Sequence, residues 1–437
     1  METLEKIGQE KRPEIPKVTF PYKVINEGVP DPEVVWTSTI FDYGGYALMS
    51  RNYIRGLTER GWKVGVEAIR GTLEISEEEK EYFNSKRKIV EDHAGRQKGV
   101  PYLNPNQISI VAHLPLWNIP KFKRNIIYSM MESKDTNRPF IERCNSYYDA
   151  CWTPTEYNKN DFLRNGMRIP VTVMPIGVDQ IYFDDFYVIE NMAFNFKPFI
   201  KRRVAEAEEI SDQPQGFKFL SVFRWSFRKG FDVLLKSYLK KFTRDDNVSL
   251  VIFSRHAAMS HDPKFIKAIE NDILKILQEH AKENHAPIYW CSDYIEQDLM
   301  PSMYNLCDAF VSTSRGEGFC IPALEASQMG LPAILPSHTG FTDYVSDSNC
   351  YQIPVDEWVV CNDIPEWSGW ITRDFYGQKF PKFGADTIDI VSEHMSNIYL
   401  NHDKALEKNK NMKKLIEERY TWDKCIERAE KELRSIQ

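Results

Sequence analysis

Two glutamates in the second half of the chain are spaced so that both can contact one ligand. Glu317 and Glu325 are separated by seven residues, and Glu317 lies between Gly316 and Gly318 after a strand-like run. The sequence predicts that Glu325 lies on the helix that follows. Backbone N–H groups at a helix start suit phosphate and sugar hydroxyls, and a carboxylate there can accept two hydroxyls of a ribose. A glutamate that only complements the helix dipole is the alternative, but it does not explain the glycines and the second glutamate together.

A second candidate is the segment that contains Arg224 and Lys229, which are five residues apart. Arg224 falls at the end of a predicted strand, and Lys229 stands just before Gly230 and a predicted helix. Two cations and a helix N-terminus in one loop form a clamp for a diphosphate, because charge-assisted hydrogen bonds are stronger than neutral ones. Two solvated surface cations are the alternative interpretation.

A third candidate is the glycine pair Gly44 and Gly45, which also stands between a predicted strand and a predicted helix. Glycines at such a position let backbone N–H groups approach a phosphate. The segment is not a G-x-G-x-x-G motif, so a dinucleotide-binding oxidoreductase is poorly supported. A plain tight turn is the alternative.

The elements that must position these residues follow an alternating pattern. A buried strand at 34–40 leads into a helix whose apolar residues recur three and four positions apart, and a strand at 62–68 follows. The same alternation restarts near residue 218. It is typical of parallel sheets, in which ligands bind outside the carboxyl ends of the strands. We therefore predict an α/β fold with two Rossmann-like domains that face a central cleft.

The domain boundaries come from the places where this pattern breaks. We predict an irregular start at 1–32 and a long surface excursion, rich in Trp and Pro, at 355–384. The predicted parts are a first domain at 1–190, a linker at 191–215, a second domain at 216–419, and a C-terminal helix at 420–437 that packs back on the first domain.

The composition excludes several classes of protein. The chain has 437 residues, of which 42% are hydrophobic and 27% charged, with a formal net charge of -7. These values are typical of a soluble globular protein and argue against bulk nucleic-acid binding. The eight cysteines form no C-x-x-C pair, so a zinc site or a disulfide framework is not expected. The chain lacks a membrane-spanning run and begins with a charged segment unlike a secretory signal, so we expect a cytoplasmic protein.

Taken together, the motifs resemble those of glycosyltransferase family 4, the retaining enzymes with the GT-B fold. Glu317 and Glu325 match the Glu-x7-Glu motif of that family, and Arg224 and Lys229 look like its G-R…K-G motif. The resemblance covers roughly residues 34–430. The other segments that are similar to family motifs are Gly44 and Gly45 together with 59–64, then 173–179, Gly340 with Asp343, and 418–425. The departures are Phe223 in place of Gly, Ile176 in place of Asn, and Trp62 in place of His, and none removes a charged group.

The resemblance implies a substrate and a set of site residues. A UDP- or GDP-sugar would lie on the second domain, where Arg224 and Lys229 hold the diphosphate and stabilise the charge that builds on the leaving group. Glu325 would bind the ribose. The groups that would hold the sugar hydroxyls are Glu317 and its loop neighbours Gly318, Phe319 and Cys320. Gly44 and Gly45 would approach the phosphate from the first domain.

The resemblance also implies a front-face mechanism, in which the leaving phosphate helps to deprotonate the acceptor. The catalytic residues would then be Arg224, Lys229, Glu317 and His113. His113 is included because the family often has a histidine near this position that faces the sugar and the acceptor. The alternative for His113 is a satisfied, buried histidine. The chain contains no D-x-D triplet, and we predict a reaction that needs neither a metal nor another cofactor.

The acceptor is defined less well than the donor. Glu132 and Thr155 are weaker candidates for the acceptor side. The basic cluster at 121–124, with Arg51 and Arg55, is either a solvated face or a surface that attracts an anionic acceptor, such as a lipid-linked sugar at the inner face of a membrane or a nucleic acid. A glycan, a lipid-linked glycan or a small molecule with a hydroxyl group is the preferred acceptor class.

Three other functions remain open at this point. They are a glycosyltransferase that acts on a modified DNA base, a catalytically silent GT-B partner subunit, and a GT-B epimerase of sugar nucleotides. Arg224, Lys229, Glu317 and Glu325 argue against the silent subunit, which has no need of them. The Glu-x7-Glu motif disfavours the epimerase.

Overall fold

The structure is a computed structural model of the chain. It describes residues 23–42, 44–69, 76–91, 97–116, 119–183, 187–189, 192–200, 211–256, 263–293, 295–363 and 375–436. By their internal contacts these residues divide into two units. The first takes the described residues that fall within 1–131, 135–177 and 422–437, and the second takes those within 132–134 and 178–421. The change at 177–178 comes earlier than the predicted boundary at 190.

The first unit is built on a parallel sheet of six strands with the order β3-β2-β6-β7-β8-β9. A second sheet, β1-β4-β5, is antiparallel and has three strands. The strands are β1 (Lys23–Asn26), β2 (Val34–Ser38), β3 (Val64–Ala68), β4 (Lys88–Glu91), β5 (Gln97–Val100), β6 (Ile108–Ala112), β7 (Arg124–Tyr128), β8 (Ala150–Thr153) and β9 (Val171–Val173). The helices are α1 (Gly45–Glu59), α2 (Glu77–Ser85), α3 (Arg138–Tyr147) and α4 (Glu156–Arg164).

The second unit is built on a sheet of seven strands with the order β10-β13-β12-β11-β14-β15-β16, in which only the edge strand β10 is antiparallel to its neighbour. The strands are β10 (Lys197–Phe199), β11 (Phe217–Trp225), β12 (Val248–His256), β13 (Ile288–Cys291), β14 (Ala309–Val311), β15 (Ala333–Pro336), β16 (Tyr351–Ile353), and the separate antiparallel pair β17 (Trp358–Val360) and β18 (Lys379–Pro381). The helices are α5 (Phe231–Lys241), α6 (Pro263–His280), α7 (Met300–Asn305), α8 (Ile321–Gln328), α9 (Ala385–Leu400) and α10 (His402–Arg419).

The C-terminal helix α11 (Trp422–Ile436) belongs to the first unit and packs on α1. Its buried residues, among them Ile426 and Leu433, lie on one face, as in other amphipathic surface helices. Ile426 contacts α1 at Gly56, where a Cβ atom would collide with the isoleucine side chain. Arg60, just after α1, forms ion pairs with Asp423 and with Glu430, the latter at 3.2 Å. No helix in the described ranges is long and apolar enough to cross a membrane.

The structure corrects the sequence predictions in three places. The predicted linker contains β10, whose Phe199 is buried and whose Pro198 is tolerated because an edge strand leaves one side unpaired. The predicted irregular start contains β1, while 1–22 lie outside the described residues. The predicted excursion contains β17 and β18, while 364–374 lie outside the described residues.

Candidate functional site

Three loops of the second unit meet at the carboxyl edge of its sheet. They follow β11, β14 and β15, which are neighbouring parallel strands, so their carboxyl ends lie at the same edge. The loop after β11 carries Lys229, the loop after β14 carries Glu317, and the loop after β15 carries Thr339. The order of the strands therefore explains how residues 88 positions apart come into contact.

Glu317 is at the centre of this group and is only 6% exposed. Its Oε1 accepts a hydrogen bond from Lys229 Nζ at 2.5 Å, and its Oε2 lies 3.6 Å from Arg228 Nη1. Burial by itself raises the pKa of the Glu317 carboxyl. The charges of Lys229 and Arg228 outweigh burial and hold that pKa below its ordinary value. The buried carboxylate is therefore ionised at neutral pH and held from two sides.

Lys229 owes its position to a tight connection between β11 and α5. The 3₁₀ turn Phe227–Lys229 ends at Gly230, which has a φ of 72°. Gly230 also packs against the main chain of Thr313, so that a Cβ atom at position 230 would collide with the Thr313 carbonyl oxygen. Thr313 Oγ1 donates to Gly230 O at 2.8 Å. Only glycine meets both requirements, the left-handed backbone and the close approach.

Arg315 fastens the Glu317 loop to the start of α5. Its guanidinium forms two hydrogen bonds of 2.8 Å with the Asp232 carboxylate and donates to Phe227 O at 2.8 Å. The guanidinium carbon also lies 4.0 Å from the centre of the Phe227 ring. Such a bidentate pair restricts both loops more than a single contact does.

The loop after β15 fixes the main chain of Glu317. Thr339 Oγ1 accepts a hydrogen bond from Glu317 N at 3.2 Å, and Gly340 N donates to Glu317 O at 2.9 Å. Thr339 is fully buried and has a φ of 50°, which is uncommon for a β-branched residue. Strained residues of this kind persist where the surrounding structure determines them, and they cluster at functional sites.

This strain leads to a prediction about stability at position 339. Thr339→Ala and Thr339→Gly both remove the hydroxyl, but only glycine relieves the left-handed backbone. We expect the glycine variant to unfold with a free energy about 1 kcal/mol higher than that of the alanine variant. Urea titration of both proteins measures the difference. At an ordinary helical or extended position alanine is the more stable residue, so that order would contradict the assigned strain.

Glu325, the second glutamate of the pair, lies on α8 and is 4% exposed. Its Oε2 accepts a hydrogen bond from Tyr304 Oη at 2.7 Å, and the hydroxyl of Tyr182 bonds to the same carboxyl. Burial raises the pKa of Glu325 to about 7, although the two tyrosine hydroxyls act in the opposite direction. The structure thus places the carboxyl between two aromatic hydroxyls rather than on an open surface.

The remaining donor-side residues have the following positions. Arg224 lies within β11, next to Phe223 and Trp225, which stack on each other. Because side chains alternate along a strand, Arg224 points to the opposite face of the sheet from these two rings. Cys320 caps the start of α8 with a φ of 68°, and Phe319 O accepts a hydrogen bond from Tyr344 Oη at 2.6 Å. Gly318 packs closely on Gly340.

In the first unit, Gly44 is the N-cap of α1 and Gly45 is its first residue. Gly44 N donates to Asp42 Oδ1 at 2.5 Å. His113 is half-buried after β6, with its ring centre 5.9 Å from that of Tyr46. Gly44 and His113 therefore lie just after the carboxyl ends of parallel strands of the first unit.

The acceptor-side candidates Thr155 and Glu132, and Arg51 of the basic cluster, have the following positions. Thr155 is fully buried, and its hydroxyl caps α4 by accepting from Asn158 N at 3.2 Å. Arg51 is buried and donates to the carbonyls of Ile40 and Asp42, so it is not part of an exposed basic cluster. Glu132 belongs to the second unit, and its carboxylate lies 3.5 Å from Arg228.

Two groups of residues in the site were missed by the sequence analysis. Arg228 directly precedes Lys229, and that adjacency was the only available signal. Tyr182 and Tyr304 lie far from Glu325 in the sequence, and no local pattern points to them. Among the described residues, no group of three His, Cys, Asp or Glu side chains is arranged to hold a metal ion.

Comparisons with solved structures reveal the same architecture in several enzymes. Sucrose-phosphate synthase from Thermosynechococcus elongatus is 11% identical, with a TM-score of 0.61 over 92% of this chain and 99% of that chain. Anabaena HepE in complex with UDP and glucose is 11% identical, with a TM-score of 0.59 over 92% of this chain and 100% of the other. A glycosyltransferase from Rickettsia africae is 13% identical, with a TM-score of 0.58 over 93% and 99%.

One of the two sequence comparisons gives a match, and that match lies in the second unit. None of the curated proteins compared with the chain matches it in sequence. Residues 205–358 match the family model described as glycosyl transferases group 1, and this range contains Lys229, Glu317 and Glu325. The predicted fold class is confirmed by the solved structures. The chain therefore has the GT-B fold, with two Rossmann-like units, and its second unit carries the match to glycosyl transferases group 1.

Proposed function

We propose that the chain is a retaining glycosyltransferase that moves a sugar from a nucleoside diphosphate sugar to a hydroxyl group of an acceptor. The observation that carries the proposal is the buried Glu317 carboxylate held by Lys229, in a domain that matches a glycosyltransferase family model. HepE, which shares the fold, was solved with UDP-glucose and with UDP and glucose. A UDP-sugar is therefore the first donor to test, and a GDP-sugar is the second.

In this proposal Lys229 has two roles. Its ammonium has three donors, and Glu317 uses one of them, so the others are available to the diphosphate. Arg224 on the preceding strand supplies a second cation. Both neutralise the charge that develops on the β-phosphate when the bond between the phosphate oxygen and the anomeric carbon breaks.

Glu317 holds the hydroxyls of the transferred sugar, and the backbone N–H groups of Phe319 and Cys320 assist. Because Glu317 is fixed from both sides before any donor binds, its oxygens are already oriented and no ordering cost arises during the reaction. Glu325 accepts the ribose hydroxyls. A carboxylate has about four lone-pair sites, so two tyrosine hydroxyls leave acceptor capacity for the ribose.

The transfer then occurs on one face of the sugar. The acceptor oxygen bonds to the anomeric carbon on the side from which the phosphate leaves, and the acceptor proton passes to a phosphate oxygen. The configuration at the anomeric carbon is retained. The acceptor is a glycan, a lipid-linked glycan or a small molecule.

The stereochemistry provides a direct test of the proposal. An α-linked UDP- or GDP-sugar should give a product in which the new bond is also α, as measured by the anomeric proton coupling in ¹H NMR. A β-linked product would show inversion and would rule out the front-face mechanism. Failure to turn over any of a panel of UDP- and GDP-sugars with sugar acceptors would instead favour a silent partner subunit.

We further propose that the reaction needs no metal, because cationic side chains supply the charge on the diphosphate. The turnover rate in 5 mM EDTA should be within about twofold of the rate in buffer with Mg²⁺. The reason is that Lys and Arg side chains replace the metal as ligands of the phosphates. Initial rates after dialysis against EDTA measure this. Loss of turnover in EDTA with recovery on adding Mg²⁺ or Mn²⁺ would contradict the proposal.

A further inference from the structure

The segment that contains Glu132 is fastened to the second unit by neighbours of Glu132. Ser133 Oγ donates to Gln378 Oε1. Lys134 and Lys379 form an antiparallel bridge with two backbone hydrogen bonds of 2.9 Å, which extends the small sheet of β17 and β18. The ammonium of Lys134 also lies 5.1 Å from the centre of the Trp358 ring. The position of Glu132 is therefore set by the second unit, although it follows β7 in sequence.

Arg228 lies between Glu132 and the Glu317 loop. Its Nη2 is 3.5 Å from Glu132 Oε1, its Nη1 is 3.6 Å from Glu317 Oε2, and Nη1 also donates to Gly316 O. Gly316 packs so closely on the Glu132 carbonyl oxygen that a Cβ atom at position 316 would collide with it. The guanidinium thus contacts the side chain and the main chain of the same loop.

These contacts form a linear chain of alternating charges: Glu132, Arg228, Glu317 and Lys229. Each inner member has an opposite charge on both sides. The two oxygens of Glu317 have separate partners, Lys229 on Oε1 and Arg228 on Oε2. All four side chains are at most 27% exposed, so solvent screens their interaction less than at an open surface. Removing Arg228 would leave Oε2 without its cation and let the carboxylate rotate about Lys229.

We propose that Arg228 is a positioning residue that orients Glu317 toward the donor sugar, and that Glu132 acts on the reaction through Arg228 rather than by touching the acceptor. The inference rests on the proposed function, because Arg228 has a carboxylate to orient only if Glu317 binds the donor sugar. It also reverses the sequence-based interpretation of Glu132. Misplacing a group at a reacting centre by about 1 Å can cost two orders of magnitude in rate, so a residue that only orients Glu317 can have a large effect.

The experiment measures hydrolysis of the nucleotide sugar that the parent protein cleaves fastest, chosen from a panel of UDP- and GDP-sugars, with water as the acceptor. The variants are Arg228→Ala, Arg228→Lys, Glu132→Gln and the double variant Glu132→Gln with Arg228→Ala. Glu393→Gln, which breaks an exposed ion pair with Lys241 on the same unit, is the matched control. Melting temperatures of all proteins show whether each one is folded.

We expect Arg228→Ala to lower kcat about 30-fold, with a smaller change in KM, since the orientation of Glu317 matters most in the transition state. Arg228→Lys should recover only part of this loss, because an ammonium cannot contact Glu132, Glu317 and the Gly316 carbonyl as a planar guanidinium does. Glu132→Gln should lower kcat in the parent background but not in the Arg228→Ala background. Glu393→Gln should match the parent.

The pH profile separates positioning from a loss of packing. One of the two cations that lower the pKa of Glu317 is missing in Arg228→Ala, so the acidic limb of kcat/KM should move to higher pH. If Arg228→Ala does not fold, Arg228→Lys carries the test, and it should show the same displacement with a smaller amplitude. Glu132→Gln keeps both cations and removes an anion, so it should not move the acidic limb to higher pH.

Two results would overturn the inference. The first is unchanged donor hydrolysis in Glu132→Gln, which is the outcome expected for a residue that contacts only the acceptor. The second is equal and additive losses from Glu132→Gln in both backgrounds, which would mean that the two residues act independently. Failure of the parent to turn over any of these sugar nucleotides, either with water or with sugar acceptors, is distinct from both, since it would refute the proposed function and the inference with it.

Discussion

Lys229→Ala should lower the turnover number by about 10²–10³-fold, the loss typical of removing one group that stabilises a developing anion. The reason is the position of the ammonium, 2.5 Å from a buried carboxylate at the carboxyl edge of the sheet. In the proposed reaction the cation both orients Glu317 and faces the leaving diphosphate. The variant also leaves Glu317 with Arg228 as its remaining cationic partner among the described ion pairs.

The measurement is the initial rate of donor turnover under saturating substrate. The matched control is Lys240→Ala, which removes a lysine from α5 in the same unit, where Lys240 pairs with Asp389 on the surface. Exposed pairs of this kind contribute little to stability, about 0–1 kcal/mol, so the control should behave like the parent. Equal rates for Lys229→Ala and Lys240→Ala would remove Lys229 from the reaction.

The second large effect concerns stability and pH. Burial raises the pKa of Glu325 from 4.5 to about 7 in the folded chain. Between these two values the folded chain keeps a proton on Glu325 that the unfolded chain has released, so raising the pH favours unfolding. This rise in the pKa of Glu325 corresponds to about 3 kcal/mol of stability, which is present below pH 4.5 and lost above about pH 7.

Glu325→Gln isolates this contribution, because the amide is similar in shape and does not ionise. The free energy of unfolding should fall between pH 4.5 and 7.5 by about 3 kcal/mol more in the parent than in the variant. Urea titrations at several pH values measure it, and Glu393→Gln, an exposed change, should follow the parent. If the free energy of unfolding varied with pH in the same way in the parent and in Glu325→Gln, folding would not change the pKa of Glu325, which would contradict the prediction.

Much of the candidate site around Glu317 is predictable from the sequence because it depends on local order along the chain. Lys229 follows a strand and precedes a helix, and Glu317 does likewise, so both fall at the carboxyl edge of a parallel sheet. Which strands are neighbours is a long-range property. The contact between Lys229 and Glu317 requires β11 and β14 to be adjacent, and the apolar pattern does not determine that order.

The contacts that the sequence analysis missed depend on side-chain direction and long-range packing. Arg228 is adjacent to Lys229, but consecutive side chains of a 3₁₀ turn point in different directions. The sequence pattern does not show which of the two cations contacts Glu132. Glu325 meets Tyr182 and Tyr304 through the fold of the whole unit. Thr155 is the exception, because a threonine just before a predicted helix is a recognisable N-cap signal.

The measurement that tests the central claim most directly is calorimetric titration of the parent, Lys229→Ala and Lys240→Ala with UDP and with GDP. The account predicts saturable binding of one of the two nucleotides to the parent and to Lys240→Ala. It predicts binding at least about tenfold weaker in Lys229→Ala, the loss expected when a charge-assisted hydrogen bond to phosphate is removed. Equal affinities in the parent and Lys229→Ala would contradict the assignment of the diphosphate to the Glu317 site.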